Sequence, residues 1–287
     1  MTITFRNYRG PEDLDLQNAF WVQATRDLPW CWKPTITPAL YAQGAKFDPR
    51  SRCFAFEGER LVGYMSFTGE REFVSLGYPW VLPGYEGELQ EKLYEAVYGF
   101  AASAEYGGKR FAQRLRARWT NQISFFEGHG FQGQSIGPIY ALELRTALDP
   151  QIWVSGEVEV QGKFRWDDFC DISTSVVPAE KLAMWQHYFE TVNFDFAVKA
   201  TQSGRTVGTI GVAIRPDTHF AEMIAVAIAP NASDALISSL SATVRHARSR
   251  KAKFLGTKPV SIDGSLDVLT PMGFKRVSEE FLFSKSI

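Results

Sequence analysis

The sequence predicts a mixed α/β protein made of two tandem copies of one domain, residues 1–149 and 150–287, each a central mixed β-sheet flanked by helices. Three short stretches predict it, because they recur in the same order at nearly one offset. Arg60-Leu61-Val62-Gly63-Tyr64 returns as Arg205-Thr206-Val207-Gly208-Thr209, 145 residues later. Trp80-Val81-Leu82-Pro83 returns as Ala227-Ile228-Ala229-Pro230, with the two prolines 147 residues apart. His129-Gly130-Phe131 returns as Met272-Gly273-Phe274, 143 residues on. Each match alone is commonplace, but three in order at about half the chain length mark an internal repeat.

A fourth match sets Ile3-Thr4-Phe5-Arg6-Asn7-Tyr8 against Gly162-Lys163-Phe164-Arg165-Trp166-Asp167, offset by 159, so the first copy carries extra residues ahead of Arg60. Residues 28–48 accommodate them. There Pro29, Pro34, Pro38 and Gly44 stand among Trp30, Trp32, Tyr41 and Phe47, and proline, with its fixed φ and no amide hydrogen, makes a loop.

Each copy then reads alike. A first strand is expected at 2–7 and at 163–166, with 151–162 as a linking strand or segment. An amphipathic helix follows, marked by Leu14, Ala19, Phe20 and Ala24, and by Leu182, Trp185 and Phe189 in the second copy. Hairpins follow at 53–56 with 61–67, and at 195–201 with 206–214, their turns holding Gly58 and Gly204. A strand at 73–82, or 222–229, runs to a proline. The next helix has one apolar face: Leu89, Leu93, Val97, Phe100, Ala101 and Ala104, or Leu236, Leu240, Val244 and Ala247. A strand at 110–119, or 253–256, and a short helix into Gly-Phe close the unit. Strands and helices interleaved in this way put helices on both faces of one sheet.

Composition narrows the function classes. With 31 Lys and Arg against 32 Asp and Glu, a formal charge of −1 and 45% hydrophobic residues, the chain is neither disordered nor a polyanion or anionic-membrane binder. Its longest apolar run, residues 223–229, falls short of the roughly 18 needed to span a bilayer. The first residues lack the basic-then-apolar pattern of a cleaved signal, so a cytoplasmic location is expected. Cys31, Cys53 and Cys170 have no paired spacing, which fits a reducing compartment and supports neither disulfides nor a zinc site.

The element order resembles the GNAT superfamily of acyl-CoA N-acyltransferases over nearly the whole chain, in two copies, similar in layout to tandem members of the mycothiol synthase kind. The stretch from Trp80 to Ala96, with its Pro83-Gly84-Tyr85-Glu86-Gly87-Glu88-Leu89 core, and Phe125-Phe126-Glu127-Gly128-His129-Gly130-Phe131 carry the resemblance. It implies transfer of an acyl group, most simply acetyl, from acetyl-CoA or another acyl-CoA to a small-molecule amine by direct attack in a ternary complex. It further implies that the pyrophosphate rests on the amides at the start of the helix after Pro83, where the helix dipole favours an anion. The pantetheine arm would lie between two splayed strands. Carried over residue by residue, the cosubstrate site falls on Val81, Leu82, Gly84, Tyr85, Gly87, Glu88 and Leu89, with Asn121 and Phe126. Glu72, beside Glu70, stands where a base would deprotonate the amine, and Tyr78 where a hydroxyl would serve the leaving thiolate. Trp30, Trp32 and Tyr41 would shape the acceptor pocket, or else pack against the other half.

The sequence also departs from the family pattern. Glu86 stands where a Gln or Arg opens the pyrophosphate signature, and Pro230-Asn231-Ala232-Ser233-Asp234-Ala235 has no glycine. Ser233 or Asp234 reads there as a helix N-cap. Phe126 and Leu269 occupy the place of the tyrosine often used for the thiolate. These departures motivate the alternative, a degenerate GNAT pair acting as a binding or scaffold protein. Bland readings stand beside the rest: Glu70 and Glu72 solvated at a turn, and Tyr78 a core tyrosine. Arg110, Arg114, Arg116 and Arg118 form one face of a strand, either phosphate-facing or solvated. Arg245, Arg248, Arg250, Lys251 and Lys253 complement the dipole at a helix end. His219 and Glu222 hold, in the second copy, the place of Glu72. Neither metal, nucleic acid nor membrane is expected as a partner, and the assembly is a monomer with an internal pseudo-dimer, or a homodimer.

Overall fold

The computed structural model describes residues 2–32, 47–69, 73–103, 110–147, 157–175, 177–257 and 265–286. Tyr41, Glu70 and Glu72 lie outside the described residues. Among those described, no helix is long and apolar enough to cross a membrane. The chain divides into two compact units.

The first unit comprises Met1–Pro29, Thr37–Ile136 and Glu279–Ile287. Its sheet runs in the order β1 (Ile3–Asn7), β2 (Arg52–Glu57), β3 (Arg60–Gly69), β4 (Phe73–Leu76), β6 (Arg110–Arg116) and the C-terminal part of β13 (Lys275–Lys285), while a short β5 (Trp80–Val81) pairs with β3 alone. Helix α1 (Glu12–Ala24) buries Leu14 and Phe20 and is tied to β1 by a two-pronged bond from Arg6 to Asp13, with N–O distances of 2.6 and 2.7 Å. The Arg6 guanidinium holds the Asp13 carboxyl below the ordinary carboxylate range, against the burial that would raise it. Helix α2 (Glu88–Ala101) lays Leu89, Leu93, Val97 and Ala101 on the sheet. It comes so close that a Cβ on Gly63 would stand 2.9 Å from Leu93 Cδ1. The repeated Val-Gly is therefore a packing requirement. Helix α3 (Thr120–Gly128) follows β6.

The second unit comprises Trp30–Ile36 and Gly137–Ser278. Its sheet order is the C-terminal part of β7 (Gln132–Glu143), then β12 (Phe254–Thr257), β11 (Phe220–Ile228), β10 (Arg205–Arg215), β9 (Phe196–Gln202) and β8 (Glu157–Gln161). Ser203 and Gly204, with φ of 50° and 74°, make the β9–β10 turn of the type that hairpin twist favours. Helix α6 (Ser233–Ser249) packs Leu236, Leu240 and Val244 over Phe196, Val198, Ile210 and Val212. Again a Cβ on the matching glycine, Gly208, would collide, 2.9 Å from Ile228 Cδ1 and 3.2 Å from Ser239 Oγ. On the other face, α4 (Trp166–Ser173) and α5 (Ala179–Thr191) bring Phe169, Ile172 and Leu182 onto Ala225 and Ala227. Helix α7 (Ser265–Leu269) precedes β13.

The third repeated motif is also explained. Gly130 and Gly273 have φ of 79° and 91°, and in each copy the following Phe amide reaches back to the residue five before it: Phe131 N to Phe126 O at 3.0 Å, Phe274 N to Leu269 O at 3.1 Å. This is the left-handed helix stop, with an apolar contact beneath it.

Three expectations need correction. The first strand of the second copy is β8, where Val158 and Val160 alternate with Glu157 and Glu159 in strand period; residues 163–166 form no strand, and Trp166 opens α4. The strand expected over 73–82 breaks at 77–79, because Pro79 cannot donate and the Gly77 amide bonds back to Ser66 O at 2.7 Å. The arginine face of 110–119 is divided: Arg110, Arg114 and Arg118 are exposed, but Arg116 is fully buried, in register with the buried Glu280 of β13. The compact units are not contiguous in sequence: strand β6 pairs with Glu280–Lys285 of β13, and β12 pairs with Tyr140–Glu143 of β7, so each unit takes its closing strand from the far half of the chain.

Candidate functional site

In the first unit β4 runs parallel to β6 over Phe73–Ser75 and Arg110–Ala112; the chain then leaves β6 and continues as β5 on β3. The two neighbours therefore part, as a GNAT splay requires. Leu82 N bonds to Val62 O at 2.9 Å, Pro83 ends the strand, and Tyr85 N bonds back to Leu82 O. Val81, Leu82, Gly84, Tyr85, Gly87, Glu88 and Leu89 thus gather at one loop and helix start, with Leu82 and Leu89 turned into the core. The loop satisfies itself. Gly84 N donates to the Glu86 carboxylate at 2.7 Å, and Gly87 N, at φ 83°, donates to Gln90 Oε1 at 3.1 Å. The Tyr85 hydroxyl donates to Glu57 at 2.7 Å, a bond that raises its pKa, and Glu88 pairs with Lys92.

Beyond the loop, side chains of the β4–β5 link, α2 and α3 meet. Tyr78 is buried, and Gln90 Nε2 donates to its hydroxyl oxygen at 2.6 Å and to Pro79 O at 3.2 Å. The Tyr78 ring stands edge-on to Trp80 and to Phe125 of α3, with centroids at 4.8 and 5.3 Å, and 6.2 Å from Phe126. Burial pushes the Tyr78 hydroxyl up, outweighing the Gln90 bond. Phe126 is fully buried on Phe131. His129 closes the cluster, one ring nitrogen against Phe125 O and the other against Glu91 at 3.0 Å. Asn121 is exposed on the first turn of α3. Trp30, at φ 57°, packs on Phe220 and Phe254 of the second unit with centroids at 5.9 and 5.2 Å, the packing use that the sequence left open; Trp32 is half-buried.

The second unit repeats the backbone with other chemistry. Strands β11 and β12 are parallel over Phe220–Met223 and Phe254–Thr257; a bulge then leaves Ile224 without a register partner, and Ala225–Ile228 continue on β10. Ala229 N bonds to Val207 O and Ala232 N to Ala229 O, the pattern seen at Leu82 and Tyr85. The turn is made at Asn231, with φ 63°, in a loop two residues shorter than its counterpart. The N-cap is consequently Ala232, which makes no side-chain cap bond; neither Ser233 nor Asp234 caps α6, because the short loop puts both inside its first turn. Glu222 is buried on β11, in register with Gly256 of β12, and His219 precedes β11 at φ 55°.

Two residues were missed from sequence. Gln90 follows Gly87 at the three-residue spacing of a capping box, a readable signal. Glu57 meets Tyr85 across 28 residues, which no local pattern reveals. Among the described residues no group of three or more His, Cys, Asp or Glu side chains could hold a metal.

The sequence matches no protein-family model and no curated protein. Solved structures do match. A tandem GNAT protein from the clavulanic acid biosynthesis pathway, solved without AcCoA, is 14% identical, with 99% of this chain and 98% of that one covered at a TM-score of 0.69. An acetyltransferase of the GNAT family from Colwellia psychrerythraea is 11% identical, covering 98% and 99% at 0.60. A GCN5-related N-acetyltransferase from Sphaerobacter thermophilus is 14% identical, covering 99% and 95% at 0.57. Two copies of one strand and helix order and these whole-chain likenesses converge: the chain has the fold of the tandem GNAT acetyltransferases.

Proposed function

We propose that this protein is an acyl-CoA-dependent N-acyltransferase, most simply an N-acetyltransferase acting on a small-molecule amine. The amine nitrogen attacks the thioester carbonyl, the N–C bond forms, the C–S bond breaks, the amine proton passes to a carboxylate and the thiolate leaves as CoA. One observation carries the reading. In the second unit, β11 delivers the chain through Pro230 to a 17-residue helix whose N-cap, Ala232, makes no side-chain bond and whose first turn holds one acidic residue, where amides and dipole favour an anion.

The sequence pattern points instead to Gly84 and Gly87. The geometry supports the second unit better, because those two amides are already bonded to Glu86 and Gln90, whereas Asp234 is the one acidic residue in the first turn of α6. Glu222, buried where β11 pairs with β12, is the carboxylate we assign to the amine proton.

Calorimetry with acetyl-CoA tests the reading. Heat of binding is expected; none at millimolar ligand overturns it. Asn231→Glu should weaken binding about five- to tenfold, the effect of roughly 1 kcal/mol between like charges in water. With a panel of amines and a thiol-release assay, Glu222→Gln should lower kcat and leave acetyl-CoA affinity unchanged. Equal kcat would remove Glu222 from its role.

A further inference from the structure

We propose that the splay of the first unit is filled by the chain itself and takes no acyl-CoA, so that this unit is the structural copy and the protein holds at most one cosubstrate. The inference rests on the acyl-CoA reading.

An extended arm lying between two strands needs a strand spacing of about 4.7–4.9 Å on each side of it. In the first unit the approach from the β4–β5 link to α3, where the end of such an arm would lie, is already occupied. Tyr78, from the β5 wall, stands edge-on to Phe125 of α3 with ring centroids 5.3 Å apart, and Phe126 behind it is fully buried. The Pro79 carbonyl, just ahead of β5, accepts from Gln90, which also holds the Tyr78 hydroxyl. Gln90 itself is buried, so this polar bridge is part of the packed interior.

The electrostatics agree. The loop that would cradle a pyrophosphate carries Glu86 and Glu88, with Glu57 held against Tyr85. Of the nearby cations, Lys92 is paired with Glu88, and Arg60 lies within range of Tyr85. Two of the loop amides spend their hydrogens on its own side chains. Backbone shape is thus retained from the repeat while the space and the donors are consumed.

The test uses the whole chain and CoA as probe. Calorimetry should give one site per chain. Glu86→Lys, and Glu86→Lys with Glu57→Lys, reverse charge at exposed or half-exposed positions of this loop and should leave the affinity within twofold. A second site, or affinity raised fivefold or more by either variant, overturns the proposal and leaves the acyltransferase reading intact. Absence of any heat sinks that reading instead, and a CoA-soaked crystal then decides this one. Tyr78 and Phe125 in contact with no density between them uphold it, and density between β5 and β6 ends it.

Discussion

The loop ahead of α2 and the loop ahead of α6 begin with the same backbone bonds and end differently. Ahead of α2, five residues from Pro83 to Gly87 fold back so that Glu86 and Gln90 take their amides. Ahead of α6, three residues from Pro230 to Ala232 turn once at Asn231, and no side chain caps the helix. The space behind the loops differs as well. Behind the first, Gln90 and aromatic rings meet; behind the second, Ala225 and Ala227 pack under Phe169, Ile172 and Leu182. A repeated fold thus preserves the course of the backbone, and side-chain volume and amide satisfaction decide what each copy can hold.

The strongest way to break this comparison is to empty the first copy. Phe126→Ala should cost about 3–5 kcal/mol in urea unfolding, because a fully buried ring is removed from a filled cleft. A loss under 1 kcal/mol would mean that the aromatic cluster is not the packed interior claimed for it. Next come the matched glycines: Gly63→Val and Gly208→Val should each cost about 1–3 kcal/mol, since a Cβ would stand 2.9 Å from Leu93 of α2 in the first and 2.9 Å from Ile228 of β11 in the second. If one of them is neutral, the helix of that copy can shift and the repeat is looser there. Gly130→Ala and Gly273→Ala should each cost about 1 kcal/mol in the same assay, for a left-handed φ in a helix stop.

The smallest effect separates the first helices. Asp13 of α1 meets Arg6 of β1, and Asp168 of α4 meets Lys199 of β9 at 2.6 Å. Because the folded pKa of Asp13 is depressed, its contribution is fully present above the unfolded value of about 4 and is lost as pH falls through the folded value. Asp13→Asn should therefore lower stability at pH 7, and the gap to the parent protein should narrow steadily below pH 4. A gap that widens in acid would contradict the pairing.

Much of the fold was legible because repeated turn chemistry is local. The Val-Gly, the strand-ending Pro and the Gly-Phe stop each act within a few residues, and each occupies the same structural position in both copies. The helix starts were legible too, from Pro83 and Pro230. The content of the clefts was not. That Phe126 would be filled against Phe131 rather than left beside a ligand, that Glu86 would turn onto Gly84, and that Trp30 would be spent on Phe220 depends on which side chains arrive together.

By itself, then, the sequence determined a twofold repeat of strands and helices, since hydrophobic period, turn glycines and prolines are set by neighbours along the chain. Only the tertiary structure decided that β7 and β13 close the units from opposite halves, that Arg116 is buried opposite Glu280, and that the first cleft is filled while the second helix begins uncapped. The physical reason is range. Backbone conformation follows from local sterics and hydrogen bonds, whereas strand partnership, burial and the occupancy of a cleft follow from contacts between residues as distant as Arg116 and Glu280.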